Sequence, residues 1–233
     1  MENTRHDKIR KIILISLFSA LAYVCMFIFR IKVSFLTFDA KDAIITVGAM
    51  LLGPIPGVIM SFTVAFLEYI SVSDTGVYGF IMNFLSSATF SFVASFIYRR
   101  RKSLNTAFIA LASAIIILTA TMLLANIFVT PFYMLGATFA TWSEKVTQII
   151  DLLLPLLLPF NFTKALFNSS LVLVLYKPIS GALHKAKLIS GKENFRYNKS
   201  SIFVLILGLL MLAAAIAVFV IFLNGRFEWL KRV

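Results

Sequence analysis

Between Pro159 and Asn168 the chain reads Pro-Phe-Asn-Phe-Thr-Lys-Ala-Leu-Phe-Asn, and three strong hydrogen-bonding side chains recur at i, i+3 and i+7. A helix turns by about 100° per residue, so Asn161, Lys164 and Asn168 share one face. The surrounding run, from about Ile149 to Leu175, is apolar enough to read as a membrane span. A lysine at that depth costs on the order of a few kcal/mol, so this face should look into a packed interior or a wet cavity and not at lipid. Amides carry donors and acceptors in one plane, and lysine adds a charged donor. The chemistry available to such a face is recognition.

Other spans carry one-sided polar stripes of the same kind. Asn83, Ser86, Ser87 and Phe90 align on one, and Thr119, Met122, Asn126 and Thr130 on another. Ser61, Ala65 and Glu68 align on a third, with Glu68 either an interface carboxylate or a cavity residue. Asparagine inside a membrane usually meets another helix, so Asn83 stands between packing and ligand contact. The segment Phe35-Leu36-Thr37-Phe38-Asp39-Ala40-Lys41-Asp42 places three charges before an unusually short apolar run, Ala43 to Leu52. Ten helical residues rise about 15 Å, half the hydrocarbon thickness. Part of that loop should therefore enter the protein, where non-helical backbone can be covered. Amides, one lysine and the aromatics Phe38, Tyr78, Phe80, Phe160 and Phe162 suit an uncharged, planar, hydrogen-bonding ligand.

The elements that must position these residues are membrane helices. Sixty per cent of the 233 residues are hydrophobic and 24 are Phe. That composition marks an all-α polytopic membrane protein, with no room for a separate soluble domain. The expected spans are Ile12–Phe29, Ala43–Leu52, Val58–Ile70, Val77–Tyr98, Leu104–Val129, Ile149–Leu175 and Ile202–Leu223. Gly53-Pro54-Ile55-Pro56-Gly57 reads as a tight turn, Pro131 as the end of the fifth span, and Phe132–Gln148 as a long loop. This divides the chain into a six-span domain over 1–188, a basic connector over 189–201, and a seventh, lipid-facing span with a short tail over 202–233.

The net charge of +12 does not point to nucleic acid, because the basic residues gather at span ends. Arg5 to Lys11, Arg99–Lys102 and Lys177–Lys199 fall on one side after six spans, and the positive-inside rule makes that side the cytoplasm. The Asp39 and Asp74 loops then face outward. The N-terminal apolar run lacks a small-residue cleavage site and reads as a retained span. Cys25 is alone, so there is no disulfide framework or metal cluster, and it reads as a packing residue. Catalysis would need a nucleophile–base pair or a metal set, but His6 lies in the tail and His184 in the connector. A phosphate loop is absent, so the chain cannot hydrolyse ATP by itself.

Leu36-Thr37-Phe38-Asp39 before a short second span, Asn83-Phe84, Asn126 and Pro159-Phe160-Asn161-x-x-Lys164 carry a family resemblance. In order and spacing, from about residue 10 to 188, the chain resembles the riboflavin-specific substrate-binding S components of energy-coupling factor (ECF) transporters. The resemblance implies a six-helix bundle that captures its vitamin from outside at high affinity. Its partners would be a membrane coupling subunit and two ATP-binding subunits. Asn126, Asn161 and Lys164 match positions expected to hydrogen-bond the flavin, and Leu36–Asp39 matches a covering loop. Asn83, with Tyr78 and Gly79 at the start of the same span, completes the expected substrate-binding set. Ser16-x-x-x-Ala20 on the first span reads from pattern alone as helix packing; the resemblance implies that it faces the coupling subunit. Riboflavin would be cargo and not a cofactor, with flavin mononucleotide the open variant. An S component for another vitamin or a nucleobase-like compound, and a stand-alone secondary transporter, are the alternatives. The usual family member stops near Leu188, so the seventh span is an addition.

Overall fold

A computed structural model of the chain describes residues 2–28, 30–33, 36–73, 75–189 and 199–230. Most of the expected connector, together with Phe35 and Asp74 of the expected outer loops, lies outside them. The elements in order are α1 (Glu2–Ile28), β1 (Arg30–Val33), β2 (Leu36–Asp39), α2 (Lys41–Leu52), α3 (Pro54–Val72), α4 (Gly76–Arg100), α5 (Leu104–Met134), α6 (Trp142–Leu152), α7 (Leu158–Lys185) and α8 (Lys199–Leu230). A π-helical turn, Leu153–Leu157, joins α6 to α7. Among the described residues, six helical stretches are long and apolar enough to cross a membrane; the α6–α7 stretch, Trp142–Lys185, counts as one of them. α2, counted among the expected spans, is not one of them: its twelve residues are too short to cross alone.

α2 is the centre of the bundle. It packs against α1, α3, α4 and α7, and every residue from Lys41 to Met50 is buried. A half-length helix can sit there because its neighbours, and not lipid, cover both of its ends. Gly48 lets α1 and α3 approach it: a Cβ there would press on Phe18 and Met60. The turn after α2 is one residue long. Gly53 takes a left-handed conformation (φ 123°), open to glycine at little cost, and α3 starts at once on Pro54. The Gly-Pro-Ile-Pro-Gly stretch expected as a tight turn is therefore mostly helix, since proline at the first helical position gives up only an N–H that would be orphaned anyway.

Proline was also misleading further on. α5 runs through Pro131 to Met134, and α6 starts at Trp142, so the long loop expected at Phe132–Gln148 shrinks to seven positions, 135–141. Pro131 disturbs only the turn before it, and the chain after it remains free to stay helical. Pro155 acts similarly: lacking an N–H and crowding the preceding turn, it sits in the widened π turn instead of ending the helix.

The bundle is helical, as expected, with one short addition. β1 and β2 form an antiparallel hairpin in which Arg30 pairs with Asp39 and Ile31 with Phe38. Arg30 donates to the Val72 carbonyl at the C-terminus of α3 (3.3 Å), and Tyr23 of α1 reaches Ser71 (2.7 Å), so the hairpin and the end of α3 share one end of the bundle. Near the opposite end, Arg99 of α4 lies beside Gly53, and Tyr98 meets Tyr176 of α7 (3.1 Å). The basic residues closing α4 and α7 thus gather at one end.

Candidate binding site

The hairpin carries its chemistry on alternate residues. Asp39 lies on a face that meets Lys41 and Lys164, whereas Phe38 turns to Phe160 and Phe167 of α7 and Phe219 of α8. Lys164 Nζ donates to the Thr37 carbonyl (3.1 Å) and to Asp39 Oδ2 (3.0 Å). Lys41 Nζ bridges Asp39 Oδ2 and Glu68 Oε2, each at 3.0 Å. Arg30 approaches Glu68 Oε1 at 3.7 Å, and Lys164 approaches Asp42 Oδ2 at 3.9 Å. Ser87 donates to the other Asp42 oxygen. Three cations and three carboxylates are thus threaded together, and Lys41 (1% exposed) and Asp39 (0%) are sealed from solvent. Charges taken out of water survive only when paired and hydrogen-bonded in this way.

Asn168 completes the frame. Its Oδ1 accepts from the Ala43 N–H (2.9 Å), and its Nδ2 donates to the Asp39 and Lys164 carbonyls (3.1 Å each). The start of α2 has no side-chain cap of its own and is buried, so its orphan N–H groups need partners from elsewhere. Asn168 supplies one, and Asp39 Oδ1 takes the Lys41 N–H (3.3 Å). Asn168, which the sequence places on the same face as Asn161 and Lys164 but a turn deeper, is a tie between α7, β2 and α2.

Above this frame lies a cavity of about 200 Å³. Arg30, Leu36 and Thr37 border it from the hairpin, Glu68 from α3, Gly79, Met82, Asn83 and Ser86 from α4, Met122 and Tyr133 from α5, and Phe160, Asn161 and Lys164 from α7. Ser73 and Thr75, at the α3–α4 turn, border it as well. Of the expected set, Leu36, Thr37, Gly79, Asn83, Asn161 and Lys164 are brought together on its wall. The Asn161 amide spends its N–H on the Leu157 carbonyl (2.8 Å).

Four expected residues stand back from the wall. Asn126 is fully buried in α5, with its N–H on the Met122 carbonyl (2.7 Å) and its oxygen accepting from Thr130 (2.7 Å). Tyr78 is exposed and stacks on Phe132 and on Tyr133, which itself borders the cavity. Phe38 and Asp39 lie behind Thr37, in the aromatic cluster and the charge network respectively. Glu68, open in the sequence between an interface carboxylate and a cavity residue, borders the cavity while holding Lys41. Arg30, which also borders it, was missed: it reads in the sequence as an ordinary basic residue at a span end. Lys41 had no assigned place in the sequence and proves to be the hub of the network.

An apolar exterior, a neutralised buried charge network and a polar cavity among aromatics define a membrane-embedded helical binding protein. The chain belongs to the family described as ECF transporter, substrate-specific component, whose family model matches residues 10–176. It is 29% identical over 182 residues to the riboflavin transporter RibU of Staphylococcus aureus (strain TCH60), covering 76% of this chain and 93% of that protein. It is also similar to a solved structure described as the S component of a bacterial ECF transporter. There the TM-score is 0.61 at 26% identity, covering 76% of this chain and 98% of the other. The protein is therefore a transport component of the membrane and not an enzyme.

Proposed function

We propose that the protein captures riboflavin in the cavity between the hairpin, α4, α5 and α7, and delivers it for uptake with an energising ECF module. The observation that carries this reading is the wall itself. Asn83, Asn161, Thr37 and Ser86 offer hydrogen bonds, and Tyr133 and Phe160 offer ring surface, matching the polar edge and flat rings of a flavin. The bordering cations Arg30 and Lys164 are already matched by Glu68 and Asp39, which favours a neutral flavin over a phosphorylated one. The riboflavin transporter among the relatives supports the same ligand.

The energising partners would be a membrane coupling subunit and two ATP-binding subunits. Ser16 and Ala20 sit on the exposed side of α1, opposite the buried Leu14, Phe18 and Ala22. Small residues four apart let a partner helix approach closely, so this face suits the coupling subunit. We place the basic ends of α1, α4 and α7 in the cytoplasm and the hairpin end outside.

The test is direct. The purified protein should carry a yellow flavin, or quench riboflavin fluorescence on titration more strongly than the fluorescence of flavin mononucleotide. No riboflavin binding at concentrations on the order of tens of micromolar sinks the proposal. Binding of another vitamin or a nucleobase-like compound in a ligand panel would move the protein to a different specificity.

A further inference from the structure

α8 lies beyond the family match, which ends at residue 176, yet it touches the binding hairpin. One seam of α8 faces inward: Val204, Gly208, Met211, Ala215 and Phe219 recur at helical spacing. Gly208 brings the backbone close to α7, since a Cβ there would press on Leu173 and Val174 at 3.0–3.2 Å. Farther along the seam Ala215 is fully buried, and Phe219 (5% exposed) lays its ring 4.1 Å from that of Phe38. The opposite side, with Leu210 and Ile221, is exposed. A lipid-facing span without internal business has no need to bury its largest inward ring against a substrate hairpin.

Phe38 sits between Thr37, whose carbonyl holds Lys164, and Asp39, which anchors the charge network. It also packs on Phe167 (4.9 Å) and on Phe160 (6.2 Å), which borders the cavity. A push on the Phe38 ring is therefore a push on the wall of the site. We propose that α8 is a strap for this hairpin, and that Phe219 is a positioning residue that sets how long a bound ligand stays. In naming riboflavin as that ligand, the proposal rests on the function given above; the strap itself is independent of it.

Two measurements on full-length protein in detergent test it. Hydrogen exchange of the hairpin amides, without ligand, should quicken in Phe219→Ala relative to wild type, while α3 and α4 keep their protection. The riboflavin off-rate, followed by recovery of flavin fluorescence, should rise about three- to tenfold, the range expected for one lost aromatic pair. Ile221→Ala, on the exposed side of the same helix, should change neither. Phe219→Leu keeps most of the apolar volume without the ring and should fall between; it carries the test if the alanine variant does not fold. Unchanged hairpin exchange in both Phe219 variants overturns the strap, and so does faster exchange with an unchanged off-rate. If wild type binds no riboflavin, the ligand assignment fails and the exchange measurement alone decides the strap.

Discussion

Lys41 and Asn161 show how differently two polar residues of one bundle can be used. Among the described residues the Lys41 ammonium pairs with two carboxylates, Asp39 and Glu68, and Lys41 does not border the cavity. Its substitution by methionine leaves two buried carboxylates short of a partner. Removing one partner of a buried ion pair typically costs about 3–5 kcal/mol, because the remaining charge stays buried. Lys41→Met should therefore lower the thermal midpoint in detergent markedly, while the fraction that stays folded keeps near-normal riboflavin affinity. Asn161 is the opposite case. Its amide donates to the Leu157 carbonyl one turn back, in the π turn, and its side chain borders the cavity. Asn161→Ala should weaken riboflavin binding by about 1–3 kcal/mol, the cost of a lost or orphaned buried hydrogen bond, with little change in melting. A titration showing wild-type affinity would remove Asn161 from the site.

At the scale of elements, the question is how a twelve-residue helix stays at the centre of a membrane bundle. The start of α2 is closed by Asp39 just before it and, from far along the chain, by Asn168 of α7. The Asn168 amide joins three backbone groups at once, so its loss unties the hairpin, α2 and α7 together. Asn168→Ala should destabilise the protein by about 1–3 kcal/mol and loosen the hairpin. It should weaken riboflavin binding only indirectly, through a faster off-rate. Aspartate at 168 could still accept from Ala43 but could not donate to Asp39, so Asn168→Asp should not rescue. Hydrogen exchange across residues 36–45 would report both variants. The same element logic explains the prolines. Pro54 starts a helix, while Pro131 and Pro155 perturb helices that packing otherwise sustains.

For the molecule as a whole, binding and energising are expected to use different surfaces. The cavity lies toward the hairpin end, whereas Ser16 and Ala20 sit on the outer side of α1. Ala20→Trp should therefore leave riboflavin binding to the purified protein intact while reducing uptake in cells by at least about tenfold, since a bulky ring blocks the close helix approach that small residues allow. Equal loss of binding and uptake would mean that α1 serves the bundle and not a partner. Phe219 and α8 add a third surface, on the far side of α7, that meets the hairpin from outside the matched family region.

Much of this was legible from order and type of residue alone. Hydropathy fixes how many stretches can leave water, so the helical membrane class, the short second helix and the extra C-terminal helix follow without coordinates. A lysine and amides on one helical face cannot rest in lipid, so a polar interior around Asn161 and Lys164 follows as well. What the linear pattern could not assign was partnership. Asp39, Lys41, Asp42 and Glu68 are each just a charge in an apolar setting until folding brings α2, α3, α7 and the hairpin within 4 Å of one another. Asn126 and Asn161 look alike in sequence, and only packing turns one amide inward on α5 and leaves the other beside the cavity. Between Pro159 and Asn168, the polar face was written in the helical period. Its division into a cavity contact, a charge anchor and a structural tie was decided by which neighbours arrive within hydrogen-bonding reach, a tertiary property that no local spacing encodes.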